Sequence, residues 1–224
     1  MDKEWLFGKT LSELTEIVTA LGMPRFTATQ IVTWLYKKNV TEIDQMTNLS
    51  LKNRERLSQD YCVGMIPVAG CQESVDETKK YLFPTLKGHY IESAYIPDKD
   101  RATLCVSSQS GCRMGCHFCM TARQGFSHSL TSGEILNQIR TIPESDRLTN
   151  VVYMGMGEPL DNLEQVLRSI EILTARWGYG WSPTRITLST VGVIPAMREF
   201  LNRCSAHLAV SLHDPIHSER LAMM

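Results

Sequence analysis

Apolar residues recur at helical spacing along the first sixty positions. In LSELTEIVTALGMP, Leu11, Leu14, Val18 and Leu21 fall on one face, because residues three and four apart stack on a helix. Thr10 followed by Glu13 has the form of a capping box, and Gly22 with Pro24 marks the end. Thr27 with Gln30 predicts the start of a second helix bearing Ile31, Trp34 and Leu35, and a third is predicted over Leu51 to Leu57. Residues 1–62 thus read as a small helical accessory domain. Over 63–100 the period changes. TKKYLFPTL and HYIESAYIP alternate or are β-branched, with turn signals at Lys87-Gly88 and Pro97-Asp98, so this stretch reads as a short β extension.

From 101 to 224 strands and helices alternate. ATLCVSS, NVVYMG, RITLST and HLAVSLH are apolar enough to be buried on both faces. Between them lie helices with caps predicted at Thr131/Glu134 and Asp161/Glu164, and one with Pro195 in its first turn that runs to about Asn202. In the second of these, Leu163, Val166, Leu167, Ile170 and Leu173 share a face. The pattern predicts an α/β fold: a partial (βα) barrel of parallel strands, its first four βα units, preceded by the helical domain and the β extension.

Composition narrows the picture. The chain has 224 residues and is 43% apolar, as soluble globular proteins are. No apolar run approaches the roughly 18 residues that span a bilayer, and MDKEWLFGKTLSEL has no signal-peptide core, so a cytoplasmic, membrane-free protein is expected. The net charge of −1 gives no global basic field, although a local patch is enough to hold nucleic acid. Lys37, Lys38, Lys52, Arg54 and Arg56 are candidates for such a patch.

Seven cysteines, an odd count without a signal peptide, argue against a disulfide framework and for metal or redox chemistry. Cys112, Cys116 and Cys119 form a C-x3-C-x2-C loop in GCRMGCHFC, where Gly111 and Gly115 relieve backbone crowding. Three thiolates suit three corners of a [4Fe–4S] cluster and leave one iron open. Zinc is the competing metal, with His117 as a fourth donor. However, His117 adjoins Cys116 in sequence, and no second ligand pair lies nearby to close a tetrahedron.

The cysteine loop, after a strand and before a helix, resembles the radical-SAM signature. The long runs PRFTATQIVTWLYKKNV, RATLCVSSQSGCRMGCHFCMTARQGF, VVYMGMGEPLDN, ITLSTVGVIPAM and LAVSLHDP resemble, more narrowly, the dual-specificity rRNA/tRNA adenine-C2 methyltransferases known as the RlmN family. That resemblance implies a [4Fe–4S] cluster on Cys112, Cys116 and Cys119 and two S-adenosylmethionine molecules per turnover. One methylates a cysteine, and the other yields a 5′-deoxyadenosyl radical that takes a hydrogen from that methyl group. It further implies S-adenosylmethionine contacts at Gly157, Glu158, Ser189, Ser211, Leu212 and His213, with Cys105 as resolving thiol and Glu92 as proton acceptor. The implied partners are 23S rRNA, a subset of tRNAs and an electron donor such as a flavodoxin-type protein, with the chain acting as a monomer. MTARQGF and the order of the motifs favour C2 over the related C8 chemistry. The family's methyl-carrying cysteine lies beyond the last two barrel units, and this sequence ends at Met224, after strand four. Cys62, Cys71 and Cys204 do not match that cysteine. The expectation is therefore either a piece of a longer enzyme or a truncated chain that binds RNA or a cluster without turnover.

Overall fold

A computed structural model describes residues 3–224. It divides into two compact units. The first comprises the chain up to Met65 together with Arg168–Trp181. Its short strands β1 (Glu4–Trp5) and β2 (Tyr61–Cys62) pair in parallel and frame helices α1 (Leu11–Ala20), α2 (Phe26–Tyr36) and α3 (Leu51–Asp60). The capping box of α1 is formed: Glu13 N donates to Thr10 Oγ1 at 3.3 Å and Thr10 N to Glu13 Oε2 at 2.8 Å. The start of α2 departs from the expected Thr27 box. Arg25 occupies the cap without a side-chain bond, because Thr27 is buried in the core and cannot turn back to the backbone. Leu14, Val18, Ile31, Leu35 and Leu57 fill the interior. Tyr36 stands among Phe7, Trp177 and Tyr179, with ring centroids 5.7, 6.0 and 5.8 Å away.

The second unit comprises Ile66–Leu167 and Ser182–Met224 and is built on a seven-stranded mixed sheet. The antiparallel meander β3 (Gly70–Glu73), β4 (Lys79–Pro84) and β5 (Tyr90–Asp98) continues through β6 (Arg101–Cys105). From β6 the sheet is parallel, passing to β9 (Asn150–Tyr153), β10 (Ile186–Thr190) and β11 (His207–Val210). A small ribbon, β7 (Gln109–Ser110) with β8 (His128–Ser129), stands apart. The β extension therefore supplies three strands of the same sheet, and its inner edge is paired rather than left open.

Strand alternation gives the sheet two unlike faces. Tyr81, Phe83, Ile91, Ser93, Tyr95, Leu104, Val151, Tyr153, Ile186 and Leu188 are buried on one. Against it lies α5 (Ser132–Arg140), opened by the Thr131/Glu134 capping box. Gln138 of α5 accepts from Ser93 Oγ at 2.6 Å and from Ser107 N at 2.8 Å, and donates to Ser107 O at 2.9 Å. The opposite face carries Glu92, Ala94, Thr103, Cys105, Val152 and Ser189, all only partly covered.

A 3₁₀ turn that contains Asp161 leads into the next helix. Pro159–Asn162 forms a 3₁₀ turn capped by Glu158, and α6 (Leu163–Thr174) follows directly. Asp161 accepts from Gln109 and pairs with Arg113, and Glu164 pairs with Arg203. α4 (Met120–Arg123), α7 (Ile194–Arg203, with Pro195 in its first turn) and α8 (His217–Met223) complete the unit.

Candidate active site

Ligands of parallel sheets gather at the carboxyl ends of the strands, where loops can close over them. Cys105 is the last residue of β6, opposite Ala94 of β5 on one side and Val152 of β9 on the other. Burial pushes its thiol up to about 11 against a partial offset from the Met154 backbone, so the sulfur is held protonated at neutral pH. Glu92, two residues before Ala94 on β5, points to the same face as Cys105. Its carboxylate lies 3.0 Å from Lys80 Nζ. Its backbone is fixed from below: Ser107 Oγ donates to Glu92 O, and Glu92 N donates to Met156 Sδ at 3.4 Å.

On the parallel side, Ser189 Oγ of β10 and Ser211 Oγ, just past β11, are 3.4 Å apart. Gly157 and Glu158 follow β9. Gly157 has φ +95°, and a Cβ there would lie 2.5 Å from that of Gln109, so only glycine lets this turn approach the start of the cysteine loop. Glu158 is buried, and both its carboxylate oxygens accept backbone amides, Leu160 N and Val191 N, each at 2.9 Å. This residue therefore ties the loop after β9 to the loop after β10, whatever else it contacts.

The cysteine loop runs between β7 and α4. Gly111 has φ +78°, and a Cβ on it would fall 1.7 Å from Gly125 O, so the loop closes on itself through a missing side chain. Cys119 N donates to Cys116 O at 3.1 Å, and Arg123 donates twice to His117 O. His117 is thus held through its backbone. Phe118 rests on the His213 ring with centroids 4.7 Å apart, and Leu212 beside it is exposed. Arg220 donates to Leu212 O and Val191 O, which fastens the loop after β11 to that after β10.

All seven cysteines are free thiols. Among the described residues no set of three His, Cys, Asp or Glu side chains has closed to metal-binding spacing. Even so, Cys112 and Cys116 sense their loop neighbours. Burial first, and then the neighbouring Cys119, Cys116 and Glu158, push Cys112 above the ordinary thiol range. Cys116 is raised by burial and Cys119, and relieved in part by Arg220. Three soft donors in one short loop, gathered closely enough to interact, are the donor set a thiolate-held iron–sulfur cluster requires.

Residues 5–63 match the family profile described as the ribosomal RNA large subunit methyltransferase N-terminal domain, and residues 106–215 match that of the radical SAM superfamily. The fold is similar, at TM-score 0.89 and 36% identity, to a crystal structure of a radical SAM methyltransferase from Sphaerobacter thermophilus; the likeness covers 99% of this chain and 67% of that one. The chain is 56% identical over 224 residues to a probable dual-specificity RNA methyltransferase RlmN of Bacteroides thetaiotaomicron, and 41% identical over 213 residues to a dual-specificity RNA methyltransferase RlmN of Geotalea uraniireducens. The chain belongs to the radical SAM methyltransferases, and its likeness to RlmN proteins runs along its whole length. The first match covers 100% of this chain and 65% of the Bacteroides protein, the second 95% of this chain and 62% of the Geotalea protein, so the chain spans less than two thirds of either relative's length.

Within this family's fold, three polar residues that sequence reading passed over prove to organise the site. Gln109 donates to Asp161 Oδ2 at 2.7 Å and accepts from Glu158 N at 3.0 Å, which links the cysteine loop to the GMGEP turn. Ser107 joins β6 to Glu92 and to Met156, whose N donates to Ser107 Oγ at 2.8 Å. Arg220 is the third. The signal for the first two was present: polar side chains directly after an apolar strand end commonly bind neighbouring loops. Nothing in the sequence marked Arg220. No described helix is long and apolar enough to cross a membrane.

Proposed function

We propose that this chain carries the core of a radical-SAM methyltransferase acting on C2 of adenine in 23S rRNA and tRNA. One arrangement supports the reading most: Glu92, Cys105 and Ser189 share the partly open face of the sheet, at the strand ends around which the three-cysteine loop is fastened. Cys112, Cys116 and Cys119 would hold a [4Fe–4S] cluster, and Gly157, Glu158, Ser189, Ser211, Leu212 and His213 would contact S-adenosylmethionine. Bound there, the pair supplies one-electron cleavage of the sulfonium and hence hydrogen abstraction, which an electron-poor carbon such as adenine C2 needs because it is not nucleophilic.

The chain's own residues hold and move protons. Cys105 keeps its proton in the ground state because it is buried, and its sulfur becomes nucleophilic only when a base takes that proton. The Glu92 carboxylate, oriented by Lys80, presents an acceptor on the same face. In the helical unit, Lys37, Lys38 and Lys52 are exposed and available to phosphate; Lys38 Nζ sits 3.9 Å over the Trp34 ring, and Arg54 is anchored to Asp44 O. A flavodoxin-type donor, a monomeric state and a cytoplasmic setting complete the proposal.

Anaerobic reconstitution of the 224-residue chain tests the cluster. About four iron and four sulfide per chain are expected, with loss in Cys116→Ala. Uptake of a single zinc in their place overturns the radical reading. Incubation with rRNA and tRNA transcripts, followed by mass spectrometry of the nucleosides, tests the substrate. A methyl group on C8, or none from any protein that contains this core, overturns the C2 assignment.

A further inference from the structure

A cavity of about 450 Å³ opens beside the cysteine loop, and none of the roles above uses it. That volume lies within the range of small-ligand sites, ~300–1,000 Å³. His89 and Tyr90, where β5 begins, line one part; Gln124, Phe126 and Ser127, between α4 and β8, line another, and Met156, after β9, adds to the wall. No acidic side chain lines it. Tyr90 is 55% exposed, a large aromatic surface left uncovered at the rim. The Phe126 ring is held in place by the Arg113 guanidinium, 3.6 Å from its centroid, and Arg113 is in turn anchored 3.2 Å from Asp161.

Behind His89, 5.6 Å ring to ring, stands His128. It is only 4% exposed; one ring nitrogen bonds Ser127 Oγ at 3.1 Å, and the other has no partner. A buried, unpartnered ring nitrogen next to the wall of a polar cavity is an unmet hydrogen-bonding demand.

An exposed aromatic face, amide and imidazole groups at the edges and no carboxylate form the chemistry that receives an unstacked nucleobase. The π faces stack, and the side chains read the base edge. The cavity also adjoins the reacting centre on two sides. Met156 accepts the amide of Glu92, and Gly111, which precedes Cys112, belongs to its lining. We propose that this cavity seats one unstacked nucleotide of the RNA substrate, a neighbour of the one that is modified. The inference rests on the RNA methyltransferase reading above. Tyr90 is the stacking surface, and Gln124 and His89 address the base edge.

The test is fluorescence anisotropy of the 224-residue chain with a labelled single-stranded RNA heptamer that has a central adenine. Tyr90→Ala is expected to weaken binding about tenfold, as loss of one base stack does, Tyr90→Phe to restore it, and Gln124→Ala to weaken it a few-fold. The same RNA carrying 4-thiouridine next to the adenine should photocrosslink to the wild-type chain within residues 89–90 or 124–127. This readout does not depend on any variant folding. If the wild type binds but both alanine variants bind equally well and the crosslink maps elsewhere, the subsite is wrong and the RNA reading stands. Absence of RNA binding by the wild type overturns both.

Discussion

Glu158 illustrates how one carboxylate comes to matter twice. The resemblance gives it a ligand contact, while the fold uses both its oxygens to hold the amides of Leu160 and Val191. Glu158→Ala strands two buried donors, and a loss of about 2–4 kcal/mol in urea unfolding is expected; Glu158→Gln, which keeps one acceptor, should lose less. Cys105 makes a second prediction at this scale. Its thiol is raised to about 11 from an ordinary value of 9.0. The thiolate fraction at pH 7.5 therefore falls, partly offset by greater intrinsic nucleophilicity. Alkylation by iodoacetamide should run about tenfold slower than at an unperturbed cysteine and accelerate up to about pH 11. A rate that levels off near pH 9 would contradict the burial argument. The identities of these residues were legible in the sequence through the motifs that contain them. The double duty of Glu158 was not, because the partners of a side chain depend on which loops the sheet brings together.

Among the elements, the cysteine loop depends on two glycines in unequal ways. Gly111 needs both its positive φ and the absence of a Cβ, whereas Gly115, at φ +75°, has open space around it. Gly115→Ala should cost only the conformational penalty, about 1–2 kcal/mol, and keep iron uptake; Gly111→Ala should abolish iron uptake, as measured by iron content after reconstitution. The strands and helices themselves were largely readable, since period and capping residues specify them locally. Failure came where tertiary contact overrode a local signal: Thr27 went into the core, and Arg25 took the cap of α2. The meander also carries a pH-sensitive clasp. Burial alone would raise the carboxyl of Glu144, but bonds from Tyr81 at 2.6 Å and Lys79 at 2.9 Å outweigh it and lower it. A lowered carboxyl stabilises fully above its unfolded value near 4.5 and loses that contribution as pH falls through the folded one. Thermal stability should therefore drop on acidification below about pH 4.5, less steeply in Glu144→Gln.

Over the whole molecule, the alternation of strands and helices made the α/β class readable, and the match at TM-score 0.89 agrees with it. What alternation could not reveal is that chain order and unit membership disagree. The apolar stripe of α6 runs on unbroken through Arg168, yet from that residue to Trp181 the chain belongs with the N-terminal helices. The family profile for that region ends at residue 63, more than a hundred positions before Trp177 and Tyr179 arrive to stand beside Tyr36. A ribosome makes the chain in one direction, so α1, α2 and α3 emerge long before the aromatic pair that completes their core. Those helices must wait, with Tyr36 lacking two of its ring neighbours, until the first three parallel strands' worth of sequence has nearly been synthesised. Translation speed through residues 66–167 thus sets how long a half-finished hydrophobic core is offered to chaperones.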